Sequence, residues 1–385
     1  MKKIIYISPV IFIFLFSLCK PQEEKLTKIM ENGVEVIVNH LEPYPVKNAL
    51  RKMMLKKELS IDTEKFKDEN ITSIASIEAD LEGNIYILDR KLKKIVKFDN
   101  KGYFLGTIGR EGQGPGEFRL PLNLRINSVG EIVVYDSLNH KFSFFQRDGS
   151  LIKEIKINLG GILNGIPLEN GNYLFDEVPR PKDMKADNLE GVLSLFDSGF
   201  KKIKELDTIE MSNPLAKKIK GTYHNLAYSI EGNKIFIANQ EQGYEINVFD
   251  LNGNLLKKIR KEYRKLTPSE EYKKEFINFL KITPGIYNFV KDRLYFPDVL
   301  PPFHYFLTDD EGRIFVQTYE AGENKGEYMF DIFNSNGVFI ANKSLNDFSR
   351  PNGLNGRFKN SHFYCVYEKE GGFHKIVSYK VIWKK

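Results

Sequence analysis

From about residue 73 onward, apolar and polar positions alternate in short bursts separated by polar turns that carry glycine. Asp80-Leu81-Glu82-Gly83-Asn84 leads into Ile85-Tyr86-Ile87-Leu88-Asp89, and Asn127-Ser128-Val129-Gly130-Glu131 leads into Ile132-Val133-Val134-Tyr135-Asp136. The same turn-then-strand pattern returns at Glu169–Phe175, Glu231–Ala238 and Asp309–Val316, and without its glycine at Asn360–Val366. A second pattern ends a strand on an aromatic residue and turns at once, as in Phe98-Asp99-Asn100-Lys101-Gly102, Phe145-Gln146-Arg147-Asp148-Gly149 and Phe196-Asp197-Ser198-Gly199. Phe249-Asp250-Leu251-Asn252-Gly253 and Phe333-Asn334-Ser335-Asn336-Gly337 complete this series. The two glycines stand 19, 19, 28, 21 and 25 residues apart in successive copies. A period of two predicts strands, and Asp/Asn-plus-Gly turns between such strands predict hairpins, because glycine and asparagine tolerate positive φ. Each copy therefore predicts a four-stranded antiparallel meander.

Six such units of roughly 45 residues fit between Ser73 and Lys380, the size of one propeller blade. A lone four-stranded sheet exposes both faces, whereas blades packed radially bury each face against a neighbour. The expected fold is all-β, a six-bladed β-propeller with four-stranded antiparallel blades. One stretch, about 261–300, stands outside the repeat and predicts a short helical insertion. Thr267-Pro268-Ser269-Glu270 reads as an N-cap Thr, a first-turn Pro and an N3 Glu, with Tyr272, Phe276, Phe279 and Leu280 on one face and a stop before Pro284-Gly285. Two further strands, Gly33–Asn39 and Leu55–Ile61, precede the repeats, and the last blade lacks an outer strand after Val381. One of the two N-terminal strands is expected to complete that blade.

The first residues follow another pattern. Met1-Lys2-Lys3, an apolar run from Ile4 to Leu18 and an abrupt switch at Cys19-Lys20-Pro21-Gln22 make a secretory signal, too short for a comfortable membrane span. The expected organisation is a signal peptide over 1–18, a linker over 19–32 and the propeller over 33–383. Aromatic residues make up 13% of the chain, with 29 Phe and 19 Tyr, which favours strands. Two cysteines, Cys19 and Cys365, exclude a disulfide framework, and Cys365 in its apolar alternation reads as a buried thiol. The net charge of +6, or +4 without Lys2 and Lys3, gives no argument for nucleic acid as a partner.

The placement of Cys19 resembles a bacterial lipoprotein signal, in which the cysteine is acylated and becomes the first mature residue; the other reading is a plain signal peptide cleaved nearby. The body resembles the NHL-type six-bladed propellers, and more particularly the exported bacterial six-bladed propeller lipoproteins. The repeats carry that resemblance, together with the connector Gly106-Thr107-Ile108-Gly109-Arg110-Glu111-Gly112-Gln113-Gly114-Pro115-Gly116-Glu117-Phe118, which is close to the family's blade-to-blade loop. The resemblance implies an extracytoplasmic protein held at the cell envelope by its lipid, periplasmic or at the cell surface.

Candidate chemistry is sparse. The glycine run from Gly109 to Gly116 contains Pro115 and leads into no helical pattern, so it reads as a connector and not a phosphate loop. No Gly-x-Ser-x-Gly or His-Glu-x-x-His motif is present. His224 and His304 each stand eight residues before a repeat glycine, Gly232 and Gly312, which places both near the start of an inner strand in adjacent blades. Arg125, inside Leu124-Arg125-Ile126, reads either as an anion-binding group in the channel or as a structural salt bridge. These three are the candidate ligand-binding residues. The amidating lyases, which the resemblance brings in, hold a metal with histidines from separate blades, and gluconolactonase-like propellers hold calcium with acidic and amide residues. Glu78, Asn123, Asn164, Asn225 and Asn355 are the groups here that could approach such a site. With no complete catalytic set, the expectation is a non-catalytic binding propeller without a cofactor, its partner a protein or small molecule at the channel mouth. The alternative is a lactonase-like hydrolase or an amidating-lyase-like enzyme with a divalent metal.

Overall fold

The computed structural model describes residues 26–44, 52–69, 71–178, 188–213, 215–222, 226–282, 285–324, 326–346, 356–369 and 373–384. Alternation is realised as six antiparallel sheets around a channel, each with its first strand innermost. The inner strands are Ile74–Ala79, Pro121–Ile126, Ile162–Pro167, Leu226–Glu231, Tyr305–Thr308 and Gly356–Lys359, in blades 1 to 6. Each enters from the end of the ring where blade connectors run and leaves at the opposite end through a hairpin. Most of those hairpins are closed by Asx turns: Asp80 Oδ1 accepts from the amides of Glu82 and Asn84, and Asp309 does the same for Glu311 and Arg313. In blade 6 the missing glycine is replaced by Asn360 and Ser361, both at positive φ (50° and 57°), the conformation a two-residue hairpin requires.

Because strand side chains alternate, each blade sends one set to each neighbour. Tyr86, Leu88, Ile95 and Ile108 of blade 1 pack against Phe118, Leu124, Ile132 and Phe145 of blade 2. Ile85, Ile87, Val96 and Phe98 face the other way, onto Tyr364, Val366 and Ile376 of blade 6. Equivalent clusters fill the other four interfaces. At roughly 1.5–3 kcal/mol for each fully buried large apolar side chain, these interfaces are the main cohesive force of the ring.

The two N-terminal strands part company. Three strands precede blade 1: β1 (Thr27–Glu31), β2 (Val34–Asn39) and β3 (Lys52–Asp62). The expected Leu55–Ile61 strand lies within β3, which pairs antiparallel with His374–Lys384 and supplies the outer strand of blade 6. N- and C-terminal segments thus share one sheet and close the ring. The Gly33–Asn39 strand, as β2, runs parallel to Leu255–Lys261 on the outer edge of blade 4, and β1 folds back on it, so that blade has six strands.

The insertion holds α1 (Glu270–Ile282) and α2 (Ile286–Val290). The expected cap at Thr267 is corrected: Ser269 Oγ accepts from the Tyr272 amide at 3.1 Å, and the helix starts at Glu270. The helix begins later than the Thr-Pro pair would start it, so Ser269 stands directly before Glu270 and its hydroxyl reaches the third helical amide. Tyr272 and Phe276 bury with Leu300 in a cluster of their own, against Phe296 and Tyr319.

Candidate functional site

The innermost strands bring three charged residues to one rung of the channel. Glu78 stands opposite Tyr86, Arg125 opposite Val133 and Arg357 opposite Tyr364, partners that each lie three residues after the positive-φ turn residue Gly83, Gly130 or Ser361. Radial repetition makes a shared register a shared height. Glu78, 4% exposed, lies 3.6 Å from Arg125 Nη1 and 3.3 Å from Arg357 Nε. Arg357 Nη2 reaches Glu231 Oε2 at 3.5 Å, and Arg125 Nη2 donates to the Ile230 carbonyl at 3.2 Å. Two guanidinium groups and the Glu78 carboxylate therefore line a cavity of about 60 Å³, together with Ser76, Asn123 and Thr308, and Glu231 holds Arg357 from outside that lining. Burial, then the nearby Arg357, holds Arg125 below the ordinary guanidinium range, while Glu78 and Glu231 pull it back. Burial raises the Glu231 carboxyl, against the pull of Arg357, Lys359 and Arg125. Arg357 Nε and Glu231 Oε2 are buried without a hydrogen-bond partner: their ion pairs, at 3.3 and 3.5 Å, are too poorly aligned to count as hydrogen bonds.

Nearer the connector end, Asn164 donates to the Tyr228 hydroxyl at 3.0 Å, which donates to Asp176 Oδ2 at 2.8 Å. Burial pushes the Asp176 carboxyl up to about 6, with hydrogen bonds from Tyr228 and Asn164 opposing it. Of the candidates read from the sequence, the structure brings Arg125, Glu78 and Asn123 to the same cavity and Asn164 to its wall through Tyr228. Cys19, His224, Asn225 and Asn355 lie outside the described residues. His304 precedes the inner strand of blade 5 and is 7% exposed. Its ring stands edge-on to Tyr305 and tilted to Tyr319, beneath the insertion, and burial lowers its pKa to about 4. Arg357 and Glu231 had no signal of their own in the sequence, since both sit in strands whose neighbours across the channel are set only by ring closure.

The glycine run is a connector. Arg110–Glu111 and Glu117–Phe118 form a short parallel pair, and Glu117 accepts from Arg110 Nε and from the Gly114 amide, both at 2.8 Å. At Gly109, φ is +80° and a Cβ would lie 2.2 Å from the Phe118 ring. The Glu117 carboxylate is thus used within the loop, and the Gly116 amide donates to Glu154 of blade 2 at 3.0 Å. Cys365 is buried, its thiol pushed up to about 12 by desolvation.

A cleft of about 290 Å³ opens at the hairpin end, where blade 6 meets blade 1, between Glu58, Leu59, Leu81, Asn100, His362 and Tyr364. His362 bridges the Asn360 carbonyl, 2.8 Å from Nδ1, and Glu58, 3.2 Å from Nε2. Its walls come from segments some three hundred residues apart, which no local pattern brings together.

Residues 34–230 match the family model described as a 6-bladed beta-propeller. Among solved structures, a candidate exported protein of Bacteroides fragilis superposes with a TM-score of 0.55 at 16% identity, covering 91% of this chain and all of that one. A member of the DUF4221 family from Bacteroides vulgatus gives 0.50 at 12% identity, over 87% of this chain and all of that one. At such identities the likeness is one of fold. Human E3 ubiquitin-protein ligase TRIM32 is 35% identical over 98 residues, 26% of this chain and 15% of that protein's length. The match therefore spans a small part of the relative.

Proposed function

The chain belongs to DUF5128, a family of six-bladed β-propellers, and from that premise we propose that it is a non-catalytic binding propeller of the bacterial cell envelope. It is exported by its N-terminal signal, acylated at Cys19 and held at the membrane by that lipid, and it takes a ligand or protein partner at the mouth of its channel. The observation that supports this most is the charge arrangement on the channel rung. Glu78 is faced by two guanidinium groups and Glu231 by one, so neither carboxylate is poised as a free base or as a ligand for a divalent cation. Two fixed positive charges beside Glu78 would repel such a cation. Arg125, with Arg357 beside it, then offers recognition of an anionic group presented at the mouth, with His224 and His304 as the further candidates read from the repeat.

The test is made on protein purified from its native membrane. Intact-mass spectrometry should find acyl mass on the mature chain, absent from Cys19→Ala, which should move to the soluble exported fraction. Elemental analysis should find no stoichiometric divalent metal. A bound metal that survives dialysis and is lost in Glu78→Gln would replace this reading with the lactonase-like or lyase-like enzyme, and soluble wild-type protein without acyl mass would remove the anchor.

A further inference from the structure

We propose that the surface made by α2 and the connector between blades 3 and 4 docks on an anionic lipid bilayer, a reading that rests on the lipid anchor proposed above and extends it. Residues 215–222 and 286–295 are fastened together. Ile219–Lys220 pairs parallel with Leu294–Tyr295, the Gly221 amide donates to the Tyr295 carbonyl at 2.6 Å, and Arg293 donates to the carbonyls of Ala216 at 2.6 Å and Phe289 at 2.8 Å. This small platform exposes apolar side chains that the core does not use: Leu215 is 58% exposed, Phe289 55% and Ile286 43%. Around them Lys217, Lys218 and Lys291 are exposed, against Asp292 and Asp298. Apolar groups ringed by lysine are what a headgroup region accepts: the apolar tips enter the acyl boundary while the cations stay among anionic headgroups.

The path of the chain supplies the second, independent argument. β1 begins at Thr27, which pairs with Val38, and the Glu262 amide donates to the Asn39 carbonyl at 3.0 Å. The described chain therefore enters the fold beside Lys261–Glu262, the point from which the insertion departs, at the connector end of the ring. Cys19 lies seven residues before Leu26, a reach of at most about 25 Å. A lipid on Cys19 would be tethered to the ring at this end, the end that also carries the insertion platform. Scattered apolar exposure is normal on any surface; here it coincides with three exposed lysines, set against Asp292 and Asp298, and with the tethered end.

The experiment uses the mature chain, residues 19–385 with Cys19→Ala, which keeps every described strand and carries no lipid. It is sedimented with vesicles of equal parts phosphatidylglycerol and phosphatidylcholine, or of phosphatidylcholine alone. Binding to the anionic vesicles is expected, at least tenfold stronger than to the neutral ones, and weakened by 0.5 M salt. Ile286→Ser with Phe289→Ser should weaken it at least tenfold with the melting temperature unchanged. Lys218→Glu with Lys291→Glu, at exposed positions whose folding risk is small, should abolish the preference for anionic vesicles. No sedimentation with either vesicle, or equal binding by both pairs of variants, overturns the proposal. A dimer on gel filtration that the Ile286 and Phe289 changes dissociate, without vesicle binding, also overturns it and assigns the patch to a second copy of the chain. Since Cys19 is already replaced, failure of acylation in the native protein leaves this result untouched, and acyl mass on wild type does not rescue it.

Discussion

Burial acts in opposite directions on two titratable groups near the connector end. The His304 imidazole is lowered from 6.5 to about 4, and the Asp176 carboxyl is raised from 3.8 to about 6. For His304, the unfolded chain binds the extra proton between these values, so its contribution to stability is intact above about 6.5 and is lost as pH falls toward 4. For Asp176, the folded chain binds the extra proton, so stability falls as pH rises from about 4 to 6. Across this window the two act in opposite directions. Relative to wild type, His304→Gln should lose stability as pH rises from 4 to 6, and Asp176→Asn should gain it, measured as urea midpoints at half-unit steps. Variants that both track wild type would show that neither burial penalty operates. Asp176 gave no signal in the sequence, because its environment is made by Tyr228 of the next blade. His304 was legible as a register position but not as a buried ring, since Tyr319, which covers it, follows in the next strand and is turned toward it by the insertion.

Among elements, the connector after blade 1 is the most self-contained. Its glycines, Glu117 and Phe118 were all visible as a pattern; the structure uses Glu117 within the loop, whereas Phe118 packs into the core between blades 1 and 2 and the Gly116 amide donates to Glu154. Gly109→Ala places a Cβ in the left-handed region, at a cost of about 1–2 kcal/mol before the contact with Phe118 is counted. The expected result is a melting midpoint lowered by several degrees with the far-ultraviolet β signal unchanged. An unchanged midpoint would mean that Phe118 moves aside freely. The cap of α1 shows the limit of local reading. Thr267 and Ser269 are both capping residue types, and it is where the helix begins, at Glu270, that gives the role to the second.

The whole molecule is held closed by β3 pairing with His374–Lys384. That seam is where the N-terminal segment is hydrogen-bonded to the last blade, so it ties the two ends of the chain into one ring. Removing residues 1–62 strips β3 and exposes the face lined by Ile77, Val96 and Ile376; this chain should lose its single cooperative thermal transition and bind a hydrophobic dye. Removing 1–44 takes only β1 and β2 from the rim of blade 4 and should leave one transition at a lower midpoint. A cooperative transition in the shorter chain, at the same midpoint as in the longer, would show that the seam does not hold the ring. The proposed tether and platform belong to this scale too, because both depend on which end of the ring receives the N-terminus.

The sequence by itself determined the number of blades, the four-strand unit, the hairpin turns and the insertion. All of these are local: a period of two, a glycine or asparagine at positive φ and a proline are felt within a few residues and repeat six times. Only the tertiary structure decided which N-terminal strand closes blade 6 and which rides on blade 4, since β2 and β3 carry similar alternation and differ in which sheet edge is open to them. It also decided the partners of the channel charges. Glu78 meets Arg357 and Glu231 meets Arg357 across a ring that exists only once the last blade has met the first, and contacts between residues so distant leave no mark on the pattern around either one.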